Sequence, residues 1–466
     1  MGGIECRYIP EPLLQFGDGE LHVDPKSGID RYGPLSYTMA HRHPEVVRVG
    51  FIGTAESMAM AQRWLEQGAE GIRGDEKHPN FPGYKGDRGF LSDLTFDDAW
   101  HEQISQSELR KTVAIKTSRE RFETVVALLN DKLRLLADQD LPPQYVVVAL
   151  PDELTAKCRT VTYIDRDLGQ VHRDLRRAIK AAAMNHRLPT QLLSQKVVEG
   201  KDDDVPSKIA WNYFTGLYTK AGGMPWGPTG LTPGTCYIGV SFYRPLGSKQ
   251  HTLQTSLVQA FDEHGEGLVL RGHEFEWDPI REGTAAPHLP EDRARDLIDL
   301  VLMHYRREMK QMPQRVVVHK TSRYWPEERR GFVEALEERV AHFDLLALAQ
   351  QSAFRLITTS KYPPLRGTWF SVGDLDFLYS TGFLADLGEY HSLHVPSPLR
   401  IADHVRQDTA RETLLREILT LTKLNWNSAH FAGSLPITLR FSQLVGEIMR
   451  EIPINTEPRP QYKYYM

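Results

Sequence analysis

The chain has 466 residues, 41% of them hydrophobic and 25% charged, and a formal net charge of -5. These are ordinary globular values, with length enough for two or three domains, and the negative balance excludes a wholesale nucleic-acid coat protein without excluding a local basic channel. With no N-terminal apolar h-region, no apolar run of about 18 residues, and scattered cysteines at Cys6, Cys158 and Cys236, the sequence argues against secretion, a membrane span or a disulfide frame. A cytoplasmic location is expected.

In chain order, Val46–Thr54 is a continuous apolar run followed by an amphipathic stretch over Ser57–Gly68, which predicts a buried strand feeding a helix. A charged Gly/Pro-rich loop, RGDEKHPNFPGYKGDRGF, comes next. YVVVALP (Tyr145–Pro151) predicts a second buried strand. A helix over Leu168–Asn185, a short strand QLLSQKVV and a helix over Lys208–Ala221 complete a β/α alternation, the pattern of a parallel, Rossmann-like lobe. The Gly/Pro cluster Gly222–Gly234 is the expected boundary, dividing the chain into 1–230 and 231–466. Beyond it, TCYIGVSFYR predicts a strand, and a hairpin should turn at EHGEG. A helix over Glu291–Met309, the strand QRVVVHKTS and a helix over Pro326–Val340 follow. Two further strands, a hairpin through TWFSVGDLDFLYS and a helix over Asp408–Leu424 close the pattern. Antiparallel strands followed by β-helix-β units predict a ribonuclease H-like lobe.

In the helix expected over Leu168–Asn185, Arg176 and Lys180 stand four apart and share one face, a stripe that His172 extends. Gln191 follows in RLPTQLL, and Lys220 ends a helix in KAGGMPWGPTG. Taken singly, these are ordinary surface, strand-end and helix C-terminal residues, the last favoured by the helix dipole and a capping glycine. Taken together, they offer a guanidinium fork, ammonium charges and an amide from separate elements, the set that best grips a phosphate monoester.

The ordered series Arg176-x-x-x-Lys180, LPTQ and KAGGMPW resembles the MID domain of Argonaute proteins. CYIGVSFYRP, RVVVHKTS and LTKLNWNSAHFAGSLPITLRFSQLVGEIM resemble successive PIWI segments, and GDGELHVDPKSGIDRYGP resembles the opening of compact members. The resemblance runs nearly end to end, with no segment left for a PAZ domain, and so points to a short prokaryotic Argonaute. It implies that Arg176, Lys180, Gln191 and Lys220, with His172, bind the 5'-phosphate of a guide. It also implies that Met466 returns to this pocket with a carboxylate and that Mg²⁺ bridges it to the guide. One departure is Gly216, where members with a well-defined metal carry glutamine.

Slicing members hold two metal ions with a carboxylate tetrad. By the same resemblance, the tetrad positions fall here on Ser241, Thr321 (after His319 and Lys320) and, near LNWNS, Asn425 or Asn427. Neutral side chains beside a lysine cannot assemble that centre, so a non-slicing PIWI lobe is expected. The resemblance then implies an RNA guide, a single-stranded DNA target and a role against plasmids and phages. It further implies a separate APAZ-containing effector, a sirtuin-like NADase by preference, or else a TIR protein or nuclease. The alternative is an active metal-dependent nuclease drawing on Glu274, Glu276, Asp278, Asp374 and Asp376. A Rossmann-type nucleotide enzyme is disfavoured, since GxGxxG and P-loop motifs are absent.

Overall fold

The computed structural model describes all residues other than 1–3, 40–41, 167–168, 250, 262–266, 351–353, 360, 391–393, 406–408 and 454–458. A four-stranded parallel sheet forms the first lobe, in the order Asp93–Gln103, Val46–Gly53, Tyr145–Ala149, Thr190–Leu192. Its central strands are apolar throughout because both faces are covered. In Tyr145–Ala149, Tyr145, Val147 and Ala149 pack against the helices Ala55–Glu70 and Pro206–Lys220. Val146 and Val148 pack oppositely, against Ser118–Ala137 and Leu175–Asn185. This is the doubly covered, Rossmann-like arrangement expected.

The second lobe is built on a nine-stranded sheet among the described residues. Thr235–Tyr243, Thr252–Phe261 and Gly267–Glu276 run antiparallel, and Arg315–Lys320 and His342–Ala349 lie parallel on the other side of the first strand. Helices Glu291–Met309 and Pro326–Glu337 cover one face through Cys236, Ile238, Val316 and Val318. Tyr237 and Val317 face the other way, into a core that continues through Trp226 to Trp211 and Phe214 of the first lobe. This is the ribonuclease H-like order. The edge strand Cys6–Tyr8 pairs with Thr368–Val372, so the N-terminal residues join the second sheet.

Five predicted elements need correction: of the two strands expected before the hairpin, only His342–Ala349 precedes it among the described residues, and Leu399–Val405 follows it. Residues 169–174 are a strand, paired with Thr160–Asp165, and the helix begins only at Leu175; the predicted start, Leu168, lies outside the described residues. Along VHRD, burial alternates with the period of a strand while Arg and His maintain a helix-like charge pattern. Asp174 then caps Leu175–Asn185 by accepting from the Arg177 amide at 3.1 Å. The strand over 191–198 is only Thr190–Leu192, because Ser194 caps a short helix, Gln195–Val198. The helix predicted to reach Val340 ends at Glu337, and that predicted over Asp408–Leu424 spans Arg411–Leu421. The first four residues of the EHGEG turn and Asp408 lie outside the described residues.

Candidate anion-binding site

Three elements of the first lobe bring Arg176, Lys180, Gln191 and Lys220 together. Leu175–Asn185 turns its alanine-rich face inward, leaving Arg176 exposed and carrying Lys180 to the junction with the second lobe, where it is 6% exposed. Lys220 is the last residue of Pro206–Lys220 and is 1% exposed. The two glycines after it have separate tasks. Gly222 adopts φ +108, which stops the helix, and Gly223 lies so close to the Tyr218 ring that a Cβ would stand 2.3 Å from it. The next turn is pinned by Trp226, fully buried, whose indole donates to the Lys423 carbonyl at 3.0 Å.

The Lys220 ammonium donates to Gln191 Oε1 at 2.5 Å, and that oxygen also accepts from the Tyr145 hydroxyl at 3.2 Å. Lys180 donates to the main-chain oxygen of Met466, which is 1% exposed. Gly216 stands one turn before Lys220. A Cβ there would lie 3.5 Å from Gln191 Oε1 and 3.6 Å from Asn427 Oδ1, so this glycine opens onto the same space. Asn427, read in the sequence only as a candidate tetrad position, and Tyr145 were not legible as neighbours of this pocket. One belongs to a loop of the other lobe, and the other reads as core in a buried strand.

Electrostatics sets this cluster apart from its neighbours. Arg173 is buried and ion-paired with Glu123 at 2.5 Å and Glu451 at 2.7 Å, and Arg177 pairs with Glu447 at 2.7 Å. Arg173 and Arg177 are therefore already neutralised, largely by Glu447 of the closing helix Ile437–Met449 and by Glu451 just past its end. Among the described residues, Arg176, Lys180 and Lys220 pair with no Asp or Glu side chain. Burial, reinforced by Lys220 and Arg176, holds the Lys180 ammonium well below the ordinary lysine value; burial and then Arg176 do the same to Lys220. Two desolvated ammonium groups beside a guanidinium, with no Asp or Glu side chain among the described residues to pair with, make a site short of negative charge.

His172 is not on the helix that carries Arg176 and Lys180. It is exposed on the hairpin and its Nδ1 shares a 2.8 Å hydrogen bond with Thr162 Oγ1.

In the second lobe, the Ser241 hydroxyl donates to the Ser442 carbonyl at 3.0 Å, at a register shift in its strand. Thr321 is exposed just past Arg315–Lys320. The Asn425 amide closes a local turn, donating to Ser428 Oγ at 3.2 Å and accepting from the Asn427 amide at 3.3 Å. Lys320 is buried and ion-paired with Glu328 at 2.5 Å, and His319 hydrogen-bonds Thr438 at 2.8 Å. Of the alternative acids, Asp278 caps the short helix Pro279–Glu282, and Asp376 pairs with Arg411 at 2.9 Å. Glu274, Glu276 and Asp374 are exposed. Among the described residues, no group of three or more His, Cys, Asp or Glu side chains is placed to hold a metal ion. No helix among them is long and apolar enough to cross a membrane.

Comparison with known proteins gives the arrangement a context. No family model matches the chain. It is 25% identical over 281 residues to the "Protein argonaute" of Thermus thermophilus, a match covering 59% of this chain and 37% of that protein. Clostridium butyricum Argonaute, solved with a guide DNA and a 19-mer target DNA, superposes with a TM-score of 0.64 at 17% identity, covering 98% of this chain and 54% of that one. A. aeolicus Argonaute (TM-score 0.57, 14% identity, 97% and 54% covered) and Drosophila Piwi (0.58, 14%, 99% and 56%) share the fold. The chain thus spans little more than half the length of these solved relatives.

Proposed function

We propose, from the premise that the chain is an Argonaute homologue with the MID–PIWI fold, that it binds a nucleic-acid guide by its 5'-phosphate and presents that guide to a complementary target. Arg176, Lys180, Gln191 and Lys220 grip the phosphate, and the Met466 main-chain oxygen closes the same space. The observation carrying this reading is the pair of buried lysines that meet no Asp or Glu side chain among the described residues. An unpaired buried charge is costly in the empty protein, and a dianionic ligand removes the cost on binding. Sequence selection then comes from base pairing, while the protein holds the duplex by backbone and shape.

The second lobe, on this reading, measures pairing without cutting. The neutral residues Ser241, Thr321 and Asn425, with Lys320 committed to Glu328, support it. The guide is RNA and the target single-stranded DNA. A separate APAZ-containing effector, a sirtuin-like NADase by preference, supplies catalysis against plasmids and phages when the paired state is favoured. These finer assignments rest on the motif resemblance and on the loss of acidic ligands.

The test is recovery of short nucleic acid with the purified chain, end-labelled and divided by ribonuclease and deoxyribonuclease sensitivity. A 5'-phosphorylated population is expected, and the double variant Lys180→Ala, Lys220→Ala should lose it. Equal loading of that variant would reject the pocket. Metal-dependent target cutting lost on Glu276→Gln would favour the nuclease alternative.

A further inference from the structure

We propose that this pocket holds the terminal phosphate without a divalent cation, its charge being met entirely by Arg176, Lys180 and Lys220. The inference rests on the phosphate reading above and concerns how that site is built.

The donor set comes first. Mg²⁺ demands near-octahedral oxygen coordination and is usually held by one or two carboxylates besides phosphate and water. Among the described residues, no Asp or Glu side chain pairs with the cations of the site. The two oxygens best placed for an ion are already taken: Gln191 Oε1 by Lys220 at 2.5 Å and Tyr145 at 3.2 Å, and the Met466 oxygen by Lys180. Gly216 contributes no donor where a side chain would face this space, leaving the Asn427 amide oxygen, 3.6 Å from the Cβ that Gly216 lacks.

Charge decides the matter. A terminal phosphate monoester carries roughly −1.5 to −2 at neutral pH. The Met466 oxygen, as a carboxylate, adds at most one more. Three cations already answer that total, and they stand close enough for Arg176 and Lys220 to weaken protonation of Lys180. A further doubly charged ion would enter a buried, cation-rich site with no negative charge left to receive it.

The experiment is a titration of the purified chain with fluorescent single strands ending in 5'-phosphate or 5'-hydroxyl, each in EDTA and in millimolar Mg²⁺ at matched ionic strength. The readout is the ratio of the two dissociation constants, which cancels general effects of the ion on backbone contacts. The expected result is a phosphate preference of tenfold or more that changes by less than about twofold between conditions. A preference present only with Mg²⁺ would overturn the inference while leaving the phosphate site standing. No preference in either condition would remove the site itself and the inference with it. Arg176→Gln supplies the second measurement. With one cation gone, discrimination should weaken in EDTA and recover in part with Mg²⁺; equal ratios in both would defeat the charge count.

Discussion

Lys220→Met asks the pocket for two responses of opposite sign. The ammonium is 1% exposed and hydrogen-bonds only to Gln191 Oε1 among the described residues, with the Tyr145 ring centroid 5.9 Å away. Methionine keeps most of the volume, and Gln191 Oε1 retains the Tyr145 hydroxyl, so no acceptor is orphaned. Removing an uncompensated buried charge in favour of an apolar isostere is neutral or stabilising, by about 1 kcal/mol or more. That corresponds to a rise of roughly 2–4 °C in the melting midpoint of the lobe. The same change deletes a charge-assisted hydrogen bond to phosphate worth about 1.5–3 kcal/mol, an affinity loss of roughly 10- to 150-fold. It should fall on phosphorylated strands and spare hydroxyl-ended ones. Differential scanning fluorimetry and fluorescence anisotropy on one preparation read both. A midpoint lowered by several degrees with phosphate discrimination intact would make Lys220 a structural residue and refute the reasoning.

Other expectations follow from the same geometry. Phosphate affinity should fall with rising pH on the alkaline side: the free-state lysines sit below their ordinary value, a bound dianion favours their charged form, and binding therefore takes up protons. Below about pH 6 the phosphate itself loses charge, so the profile should peak, and an anisotropy titration with no fall on the alkaline side would contradict it. Glu451→Gln should destabilise by about 1.5–3 kcal/mol in denaturant melts, because it weakens a charged hydrogen bond in a buried pair, 2% and 7% exposed, while Arg173 keeps its second partner Glu123. Glu447→Gln, breaking the half-exposed Arg177 pair, should cost no more than about 1 kcal/mol. A guided target incubated with the chain alone in Mn²⁺ should remain whole on a denaturing gel.

What was legible in the sequence was whatever local pattern controls. Buried strands showed as apolar runs, and KAGGMPW showed where the linker helix must stop. The ordered pattern also marked the change from parallel to antiparallel strands near Gly222–Gly234, whereas it did not foretell that the N-terminal strand Cys6–Tyr8 pairs with Thr368–Val372. What local pattern does not control was misread. His172 was aligned with Arg176 by charge spacing, whereas alternating burial and the hairpin partner Thr160–Asp165 make it a strand residue. In the sequence, Arg173, Arg176, Arg177 and Lys180 are also alike as neighbouring cations. Only folding separates Arg173 and Arg177, neutralised by Glu123, Glu447 and Glu451, from Arg176 and Lys180, which are not; the glutamates at 447 and 451 come from some 270 residues away. Asn427 and Tyr145 likewise reach the site only through tertiary contact.

The central claim is tested most directly by competition between two otherwise identical short strands, one ending in 5'-phosphate and one in 5'-hydroxyl, for the guide-free chain. The account predicts preferential capture of the phosphorylated strand, lost in Lys180→Ala and Lys220→Ala. Equal capture of both strands by the unaltered chain would contradict it.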